Sequence, residues 1–203
     1  MQKLDTFFSN QSPLARTVPD YHLRPQQLEM AQQVEQAIEQ SGVLIAEAGT
    51  GTGKTFAYLV PALLSGGKVI ISSGTKTLQD QLFNRDIPTV RAALKAPVTV
   101  ALLKGRANYI CHYRLKQALS EGRFASREDA GYLPLIAAYA KGSASGDKSG
   151  LADVPEDAGV WPHVTSTRDN CLGQSCQNYR ECFVMLARKQ AQEADVVVVN
   201  HHL

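Results

Sequence analysis

A glycine-rich segment between an apolar run and a helical pattern has the residue types of a phosphate-binding loop. Its alternating glycines let the backbone N–H groups wrap around an anion, and the positive N-terminal end of the following helix adds to the attraction. A lysine can then reach the β and γ phosphates, and a neighbouring hydroxyl can complete the coordination of Mg²⁺. The segment predicts binding of ATP with Mg²⁺, with Lys54 and Thr55 as the catalytic pair. The loop residues are Ala48, Gly49, Thr50, Gly51, Thr52, Gly53, Lys54 and Thr55.

The loop departs from the G-x-x-x-x-G-K-[ST] pattern at one position, because Ala48 stands where the first glycine is expected. A plain glycine turn between a strand and a helix is the alternative interpretation. The order of apolar run, glycine loop and helix favours the nucleotide site.

Gln27 lies ahead of the loop, at the start of a helical pattern that begins at Pro25. A glutamine amide donates and accepts at once, which suits the N6 and N7 edge of adenine, so Gln27 is a candidate for selecting ATP over GTP. The alternative is a solvated helix start with proline in its first turn. Chemistry alone favours the solvated helix start.

Four cysteines form a second group of candidate ligands. Four thiolates suffice for a [4Fe-4S] cluster or for structural zinc. Zinc modules usually contain two C-x₂₋₄-C pairs, which the gaps of four and five residues and a distant first cysteine fit poorly, so the spacing slightly favours iron and sulfur. Unconnected free cysteines are the third interpretation, although the polar, turn-prone stretch around the second and third is a poor place to bury an idle thiol. The four are Cys111, Cys171, Cys176 and Cys182.

The elements that must position these groups alternate between apolar runs and helical patterns. This alternation predicts a parallel sheet covered on both faces, in the doubly wound α/β class. The expected strands are Val43–Ala46, Val69–Ser72, Val98–Leu103 and Val196–Val199. The expected helices are Pro25–Gln40, Lys54–Leu64, Thr77–Leu94 with an interruption at Pro88, Arg106–Leu119, Arg127–Ala140 and Tyr179–Glu193.

The domain organisation follows from where this alternation stops. Residues 1–22 are polar and are interpreted as an N-terminal extension, and residues 23–110 as the nucleotide-binding domain. Residues 111–182 are interpreted as a mostly helical insertion that carries the cysteines, and residues 183–203 as the return to the first domain. Within the insertion, the Gly-, Ser-, Asp- and Lys-rich stretch 141–159 predicts an exposed loop.

Composition limits the possible partners and location. The chain has 203 residues and a formal net charge of +2, so bulk charge does not argue for nucleic-acid binding. No stretch approaches the roughly 20 apolar residues of a membrane helix, and the N-terminus lacks the apolar run of a secretory signal. We therefore expect a cytoplasmic protein with no membrane partner, whose cysteines are thiols or metal ligands rather than disulfides.

Four separated motifs occur in an order that resembles the XPD-like iron-sulfur DNA helicases of superfamily two. Within that family they are similar to the DinG and YoaA branch, and most similar to its YoaA members. The resemblance extends from about Tyr21 to Leu203, and Trp161-Pro162 and the cysteine positions contribute to it. The motifs are Glu47–Thr55, Ile71–Leu82, Leu103–Cys111 and Ala194–Leu203.

The resemblance implies an ATP-driven 5′ to 3′ DNA helicase of repair or replication, with a [4Fe-4S] domain inserted in a RecA-like first motor domain. Gln27 falls on the family's adenine-reading glutamine, Lys54 and Thr55 on its phosphate and Mg²⁺ residues, and the four cysteines on its cluster ligands. The implied partners are single-stranded or forked DNA and replication or repair proteins.

Two short segments are predicted to contact DNA. Thr75 and Lys76 fall on the family's single-strand contact segment, where a hydroxyl and an ammonium suit a phosphate, although a solvated helix start is the alternative. Lys104 and Arg106 are further candidates, with Tyr109 available for base stacking, and an ordinary structural role is an equal alternative for all three.

An acidic residue that would hold Mg²⁺ and position water is not visible at any expected strand end. In the family, the Asp-Glu-Ala-His box and the second motor domain lie beyond the point matched by Leu203. We therefore expect this chain to bind ATP but to hydrolyse it poorly alone. His201-His202 is interpreted as an ordinary strand end rather than a metal site.

Two other functional classes stay open. One is a non-motor redox or metal-binding module with a nucleotide-binding remnant. The other is a P-loop ATPase that transfers a cluster to other proteins.

Overall fold

The computed structural model describes residues 4–19 and 21–201. Three strands occur in that part of the chain: β1 (Val69–Ser73), β2 (Val100–Leu103) and β3 (Val196–Asn200). The helices of the N-terminal half are α1 (Leu4–Phe8), α2 (Pro13–Thr17), α3 (Pro25–Glu39), α4 (Lys54–Leu64), α5 (Lys76–Gln81) and α6 (Ile87–Leu94). They are followed by α7 (His112–Glu121), α8 (Arg127–Gly142), α9 (Trp161–Val164) and α10 (Phe183–Glu193).

The chain divides into two compact units. Unit 1 comprises the described residues up to Leu102 together with Ala194–His201, and unit 2 comprises Leu103–Glu193. The predicted insertion, residues 111–182, lies inside unit 2.

Unit 1 is an α/β unit built on a sheet with the strand order β1-β3-β2. β1 and β3 are parallel, with Val69 opposite Val196 and Ser73 opposite Asn200. The apolar runs predicted as strands at residues 69, 98 and 196 are confirmed, and the predicted α/β class with a parallel sheet is confirmed with them.

The core of unit 1 includes residues from the segment interpreted as a polar N-terminal extension. Phe7, Phe8 and Leu14 are buried, and they pack with residues of α3, α4 and α6. The three apolar side chains lie on one side of two short helices, so a polar average composition concealed a buried stripe.

The predicted strand Val43–Ala46 is wrong. This segment has no strand structure in unit 1, and Val43 and Ile45 are 92% and 94% exposed. A fully apolar run forms a buried strand only when neighbouring strands satisfy its backbone on the sheet. Among the described residues the sheet offers no such neighbour to this segment.

The interruption predicted at Pro88 is present but begins before the proline. A π-helical turn spans Leu82–Asp86, between α5 and α6, and Pro88 then sits in the first turn of α6. Proline lacks an N–H donor and its ring crowds the carbonyl four residues earlier, so the preceding turn loosens to i→i+5 hydrogen bonds.

Unit 2 is helical and has its own core, formed by the packing of α7, α8, α9 and α10. The helix predicted from Arg106 begins at His112 instead, after a short 3₁₀ turn at Arg106–Asn108. The prediction of an exposed loop at residues 141–159 is wrong in part, because Val154 is buried and Asp147 is largely buried in an ion pair.

Across the described ranges, no helix has both the length and the apolar character required to span a bilayer.

Candidate functional site

The glycine loop in unit 1 leads directly into the N-terminus of α4. Gly53 is the N-cap residue with a φ of 80°, and Gly51 has a φ of 78°. Both are left-handed conformations that glycine adopts without steric cost. Lys54 and Thr55 are the first two residues of α4, where the exposed backbone N–H groups and the helix dipole attract anions.

Two cations contact the backbone oxygens of the loop. Lys54 Nζ donates to the carbonyl oxygens of Ala48 at 2.7 Å and Gly49 at 2.6 Å. Arg24, at the N-cap of α3, donates from NH1 to the carbonyl oxygen of Gly51 at 2.6 Å. Arg24 was not among the predicted site residues. Its position three residues before Gln27, at the same helix start, was the signal that could have identified it.

Gln27 lies against the loop rather than in solvent. It is 3% exposed, and its Nε2 donates to the carbonyl oxygen of Gly53 at 2.9 Å. A Cβ atom on Gly53 would overlap this amide, so the close approach requires glycine. Gln27 Oε1 is buried and has no hydrogen-bond partner among the described residues, which leaves one acceptor at the loop. The solvated helix start considered for Gln27 is therefore wrong.

Thr55 has a neighbour one turn along α4. Burial raises the pKa of Tyr58, a side-chain hydrogen bond with Thr55 lowers it, and the charge of Asp86 raises it. The Tyr58 side chain thus lies close to Thr55, whose hydroxyl was predicted to contact Mg²⁺.

Thr75 and Lys76 stand at the start of α5. The Thr75 side chain is the N-cap of this helix and accepts from the Leu78 N–H at 3.2 Å, and Lys76 is exposed. The capping role agrees with the structural alternative for Thr75, and a DNA contact by either residue stays a prediction.

The three candidates after β2 differ in accessibility. Lys104 is buried and pairs with Asp147, whereas Arg106 borders the cavity that the cysteines line. Tyr109 is buried, and its hydroxyl accepts from the Lys104 N–H at 3.0 Å. A ring in the core of unit 2 offers no face to a base, so the stacking role of Tyr109 is corrected to a structural one. A DNA contact by Arg106 stays a prediction, and one by Lys104 stays a prediction that requires its ion pair with Asp147 to open.

The four cysteines line one cavity of about 240 Å³ in unit 2. All four are reduced and partly buried. Burial raises the pKa of Cys111, hydrogen bonds from the backbone of Arg114 and Tyr113 lower it, and the charges of Cys182 and Cys176 raise it. The structure thus brings together residues that lie up to 71 positions apart in the sequence.

The cysteines share a cavity without converging on one point. Among residues 4–19 and 21–201, no group of three or more His, Cys, Asp or Glu side chains is arranged to hold a single metal ion. A zinc ion would require four sulfurs at about 2.3 Å from one centre. A multi-iron cluster places several metal atoms and sulfides between its thiolates, so it spans a wider set of ligands than one ion does.

His201 continues the pairing at the end of β3. Its backbone N–H donates to the carbonyl oxygen of Ser73 at 2.8 Å. His202, which was considered together with His201 as an alternative metal site, lies outside the described residues.

Comparison with known proteins defines the class of this glycine-loop site. Residues 24–110 match the model of the DEAD/DEAH box helicase family, a range that contains Gln27, the whole glycine loop and α4. With the parallel sheet of unit 1, this match identifies a RecA-like α/β nucleotide-binding domain of the helicase type.

Individual relatives narrow the class. The chain is 51% identical to the ATP-dependent DNA helicase YoaA of Escherichia coli (strain K12) over 196 residues, which is 97% of this chain and 31% of that protein. It is 46% identical to YoaA of Haemophilus influenzae over 99% of this chain and 31% of that protein. It is 36% identical to the helicase DinG of Mycobacterium tuberculosis (strain H37Rv) over 87% of this chain and 30% of that protein.

Over nearly its whole length the chain is homologous to helicases of the DinG and YoaA branch, as the motifs indicated. It spans about a third of the length of the curated relatives it matches.

Proposed function

We propose that this chain is the ATP-binding portion of an ATP-dependent 5′ to 3′ DNA helicase of the DinG and YoaA type. The observation that carries the proposal is the contact between Gln27 and the glycine loop. Gln27 is buried against Gly53, and its buried Oε1 has no partner among residues 4–19 and 21–201, so the adenine N6 amino group would satisfy it once the amide turns towards the base. A loop for phosphates and a reader for the base then lie side by side.

The loop residues have distinct roles in this proposal. The N–H groups at the start of α4 bind the phosphates, and Lys54 exchanges the carbonyls of Ala48 and Gly49 for the β and γ phosphate oxygens. Thr55, the second residue of α4, contributes its hydroxyl to Mg²⁺. When bound, Mg²⁺ neutralises charge that develops on the phosphates.

The proposal includes a limit on catalysis. None of the described strands ends in an acidic pair that could hold Mg²⁺ and position water, because β1, β2 and β3 are followed by Gly74, Lys104 and His201. We infer that this chain alone binds ATP and hydrolyses it poorly.

We also propose that the four cysteines hold a [4Fe-4S] cluster. Their common cavity supports a shared metal group, and the gaps of four and five residues with a distant first cysteine fit structural zinc poorly. Such a cluster supplies cross-links among four thiolates and one-electron redox chemistry when bound. Cys111 would connect the start of α7 to the turns that carry the other three cysteines.

ATP hydrolysis and strand separation test the helicase proposal. In a protein extended to the length of its relatives, we expect DNA-stimulated ATPase activity and unwinding of forked DNA with a 5′ single-stranded arm, and Lys54→Ala should abolish both. Unwinding only from a 3′ arm would refute the direction. Strong DNA-stimulated ATPase activity from this chain alone would refute the limit on catalysis.

The non-motor metal module is the second candidate, and the cysteine cavity is compatible with it. It predicts iron binding without DNA-stimulated ATPase activity in the longer protein. Iron and sulfide analysis after anaerobic purification should give about four of each per chain for a [4Fe-4S] cluster. Stoichiometric zinc would contradict the cluster under either candidate.

A further inference from the structure

Unit 2 contains a buried ion pair between Lys104 and Asp147 that the proposed chemistry does not use. Lys104 Nζ lies 2.8 Å from Asp147 Oδ2, and the two side chains are 5% and 14% exposed. Lys104 Nζ also donates to Ser149 Oγ at 3.1 Å, and Asp147 Oδ1 accepts from the backbone N and the Oγ of Ser149 at 2.9 and 2.8 Å. Removing Lys104 would leave the Asp147 carboxylate charged and largely buried without this counterion.

Asp147 belongs to a short segment, Gly146–Gly150, that we call the strap. Its backbone is fixed at two neighbouring points, since the Gly146 carbonyl oxygen accepts from the Ile110 N–H at 2.8 Å and the Asp147 carbonyl oxygen accepts from the Tyr139 hydroxyl at 2.8 Å. Gly146 has a φ of 61°, and a Cβ atom there would overlap the Phe183 ring. The strap is therefore fixed against the core of unit 2.

The strap lies directly beside the first cysteine. Ile110, which donates to Gly146, is buried and precedes Cys111, and the Cys111 N–H donates to the Val164 carbonyl oxygen at 2.8 Å. Tyr109 forms an antiparallel bridge with Asp147. The backbone that leads into Cys111 is thus held by residues that follow it by more than 30 positions.

The later cysteines are held differently. The Cys176 N–H donates to the Gly173 carbonyl oxygen at 3.2 Å, and the Cys182 N–H donates to the Tyr179 carbonyl oxygen at 3.3 Å. Each of these bonds closes a local turn of a few residues. Their geometry depends on neighbours in sequence, whereas that of Cys111 depends on Val164 and, through Ile110, on the strap.

We propose that Asp147 is a positioning residue for Cys111. Its ion pair with Lys104 holds the strap against Tyr109 and Ile110, and this fixes Cys111 on the wall of the cavity that the four cysteines share. The proposal rests on the metal-binding role proposed for the cysteines, but it concerns the order of the polypeptide around one of them.

Cysteine alkylation in the metal-free protein tests this positioning directly, with the rate at each cysteine measured by mass spectrometry. In Asp147→Ala we expect alkylation of Cys111 to rise about tenfold, because the segment opens locally, while the rates at Cys171, Cys176 and Cys182 change less than about twofold. Lys104→Met should give the same selective increase. Asp153→Asn, an exposed carboxylate nearby in the same loop, is the matched control and should change nothing.

Asp147→Asn keeps the shape of the side chain, so it tests the proposal even if Asp147→Ala fails to fold. We expect a selective but smaller increase at Cys111 and a several-fold lower iron content after reconstitution of the intact protein. An unchanged rate at Cys111, or an equal rise at all four cysteines, would overturn the proposal. Failure of the wild-type protein to bind iron would refute the cluster, and the alkylation pattern would still decide the role of Asp147.

Discussion

The glycine loop and the cysteine cavity differ in how well the segments that position them are packed in this chain. The segment that enters the loop, Val43–Ala46, is exposed, and β1 is an outer strand of the sheet with Ile70 turned to solvent. The segments around the cysteine cavity pack instead on a core that contains Trp161 and Phe183. A site on a parallel sheet needs strands that come from distant parts of a sequence, whereas a site among helices and short turns can be completed locally.

Loss of the loop lysine should have the largest effect and should leave the cysteine unit intact. In the protein at the length of its relatives, Lys54→Ala should lower the DNA-stimulated ATPase rate by about 100-fold or more, because one charged donor to the phosphates is lost. A steady-state ATPase assay measures this. Iron content should equal that of the wild type. A parallel loss of iron would show that the two sites are not independent.

The exposed segment Val43–Ala46, which leads into the glycine loop, allows a direct test of whether this loop lacks packing in the present chain. In this chain of 203 residues, Val43→Ser with Ile45→Ser should change the free energy of unfolding by less than about 0.5 kcal/mol, because both side chains already face solvent. In a longer protein that covers them, the same pair should cost about 2–4 kcal/mol.

Chemical denaturation of both lengths gives the comparison. Leu119→Ser, at an exposed leucine of unit 2, is the control and should have a small effect in both lengths. Equal effects of the Val43 and Ile45 pair in the two lengths would show that this segment stays exposed in the longer protein.

A matched pair of glycines tests how tightly the strap packs against the core of unit 2. Gly146 and Gly122 have similar φ values, 61° and 59°, but only Gly146 lacks room for a Cβ atom. Gly122→Ala should cost about 1–2 kcal/mol of unfolding free energy from backbone strain alone. Gly146→Ala should cost roughly 1–3 kcal/mol more, because the Phe183 ring must move. Similar melting temperatures for the two variants would contradict the packing of the strap.

The smallest expected effect is a pH dependence in unit 1. The Thr99 backbone N–H and hydroxyl each lie 2.7 Å from Asp195 Oδ2, and they hold the pKa of Asp195 below its ordinary value of 3.8. A carboxyl with a lowered pKa contributes stability above its unfolded pKa, and the contribution disappears as the pH falls through the folded pKa. The melting temperatures of wild type and Asp195→Asn should differ at about pH 5 and converge only as the pH falls through the lowered folded pKa.

The sequence predicted the strands at β1 and β3 because three consecutive apolar residues in the first and four in the second are typical of strands in a buried sheet. The same signal failed at Val43–Ala46, since an apolar run says nothing about where its neighbours lie. The glycine loop and the grouping of the four cysteines could be predicted from residue types and family motifs.

Asp147 was missed for a different reason. Its surroundings are rich in glycine, serine and lysine, a composition typical of solvated loops, and its partner Lys104 is 43 residues earlier in the sequence. Nothing in the local pattern separates a buried aspartate from a solvated one. Arg24 could have been predicted more easily, because it stands at the helix start that also contains Gln27.

The pairing of β1 with β3 also bears on how the protein folds during synthesis. Val69 meets Val196, so β1 must wait until the whole of unit 2 has left the ribosome. At about 5–20 residues per second, this delay is on the order of ten seconds. During that interval the apolar edge of β1 is unpaired and exposed to aggregation or to chaperones, while the helices of unit 2 can already collapse on their own core. We expect the nascent chain to acquire protease resistance first in the cysteine unit and only afterwards in the nucleotide-binding unit.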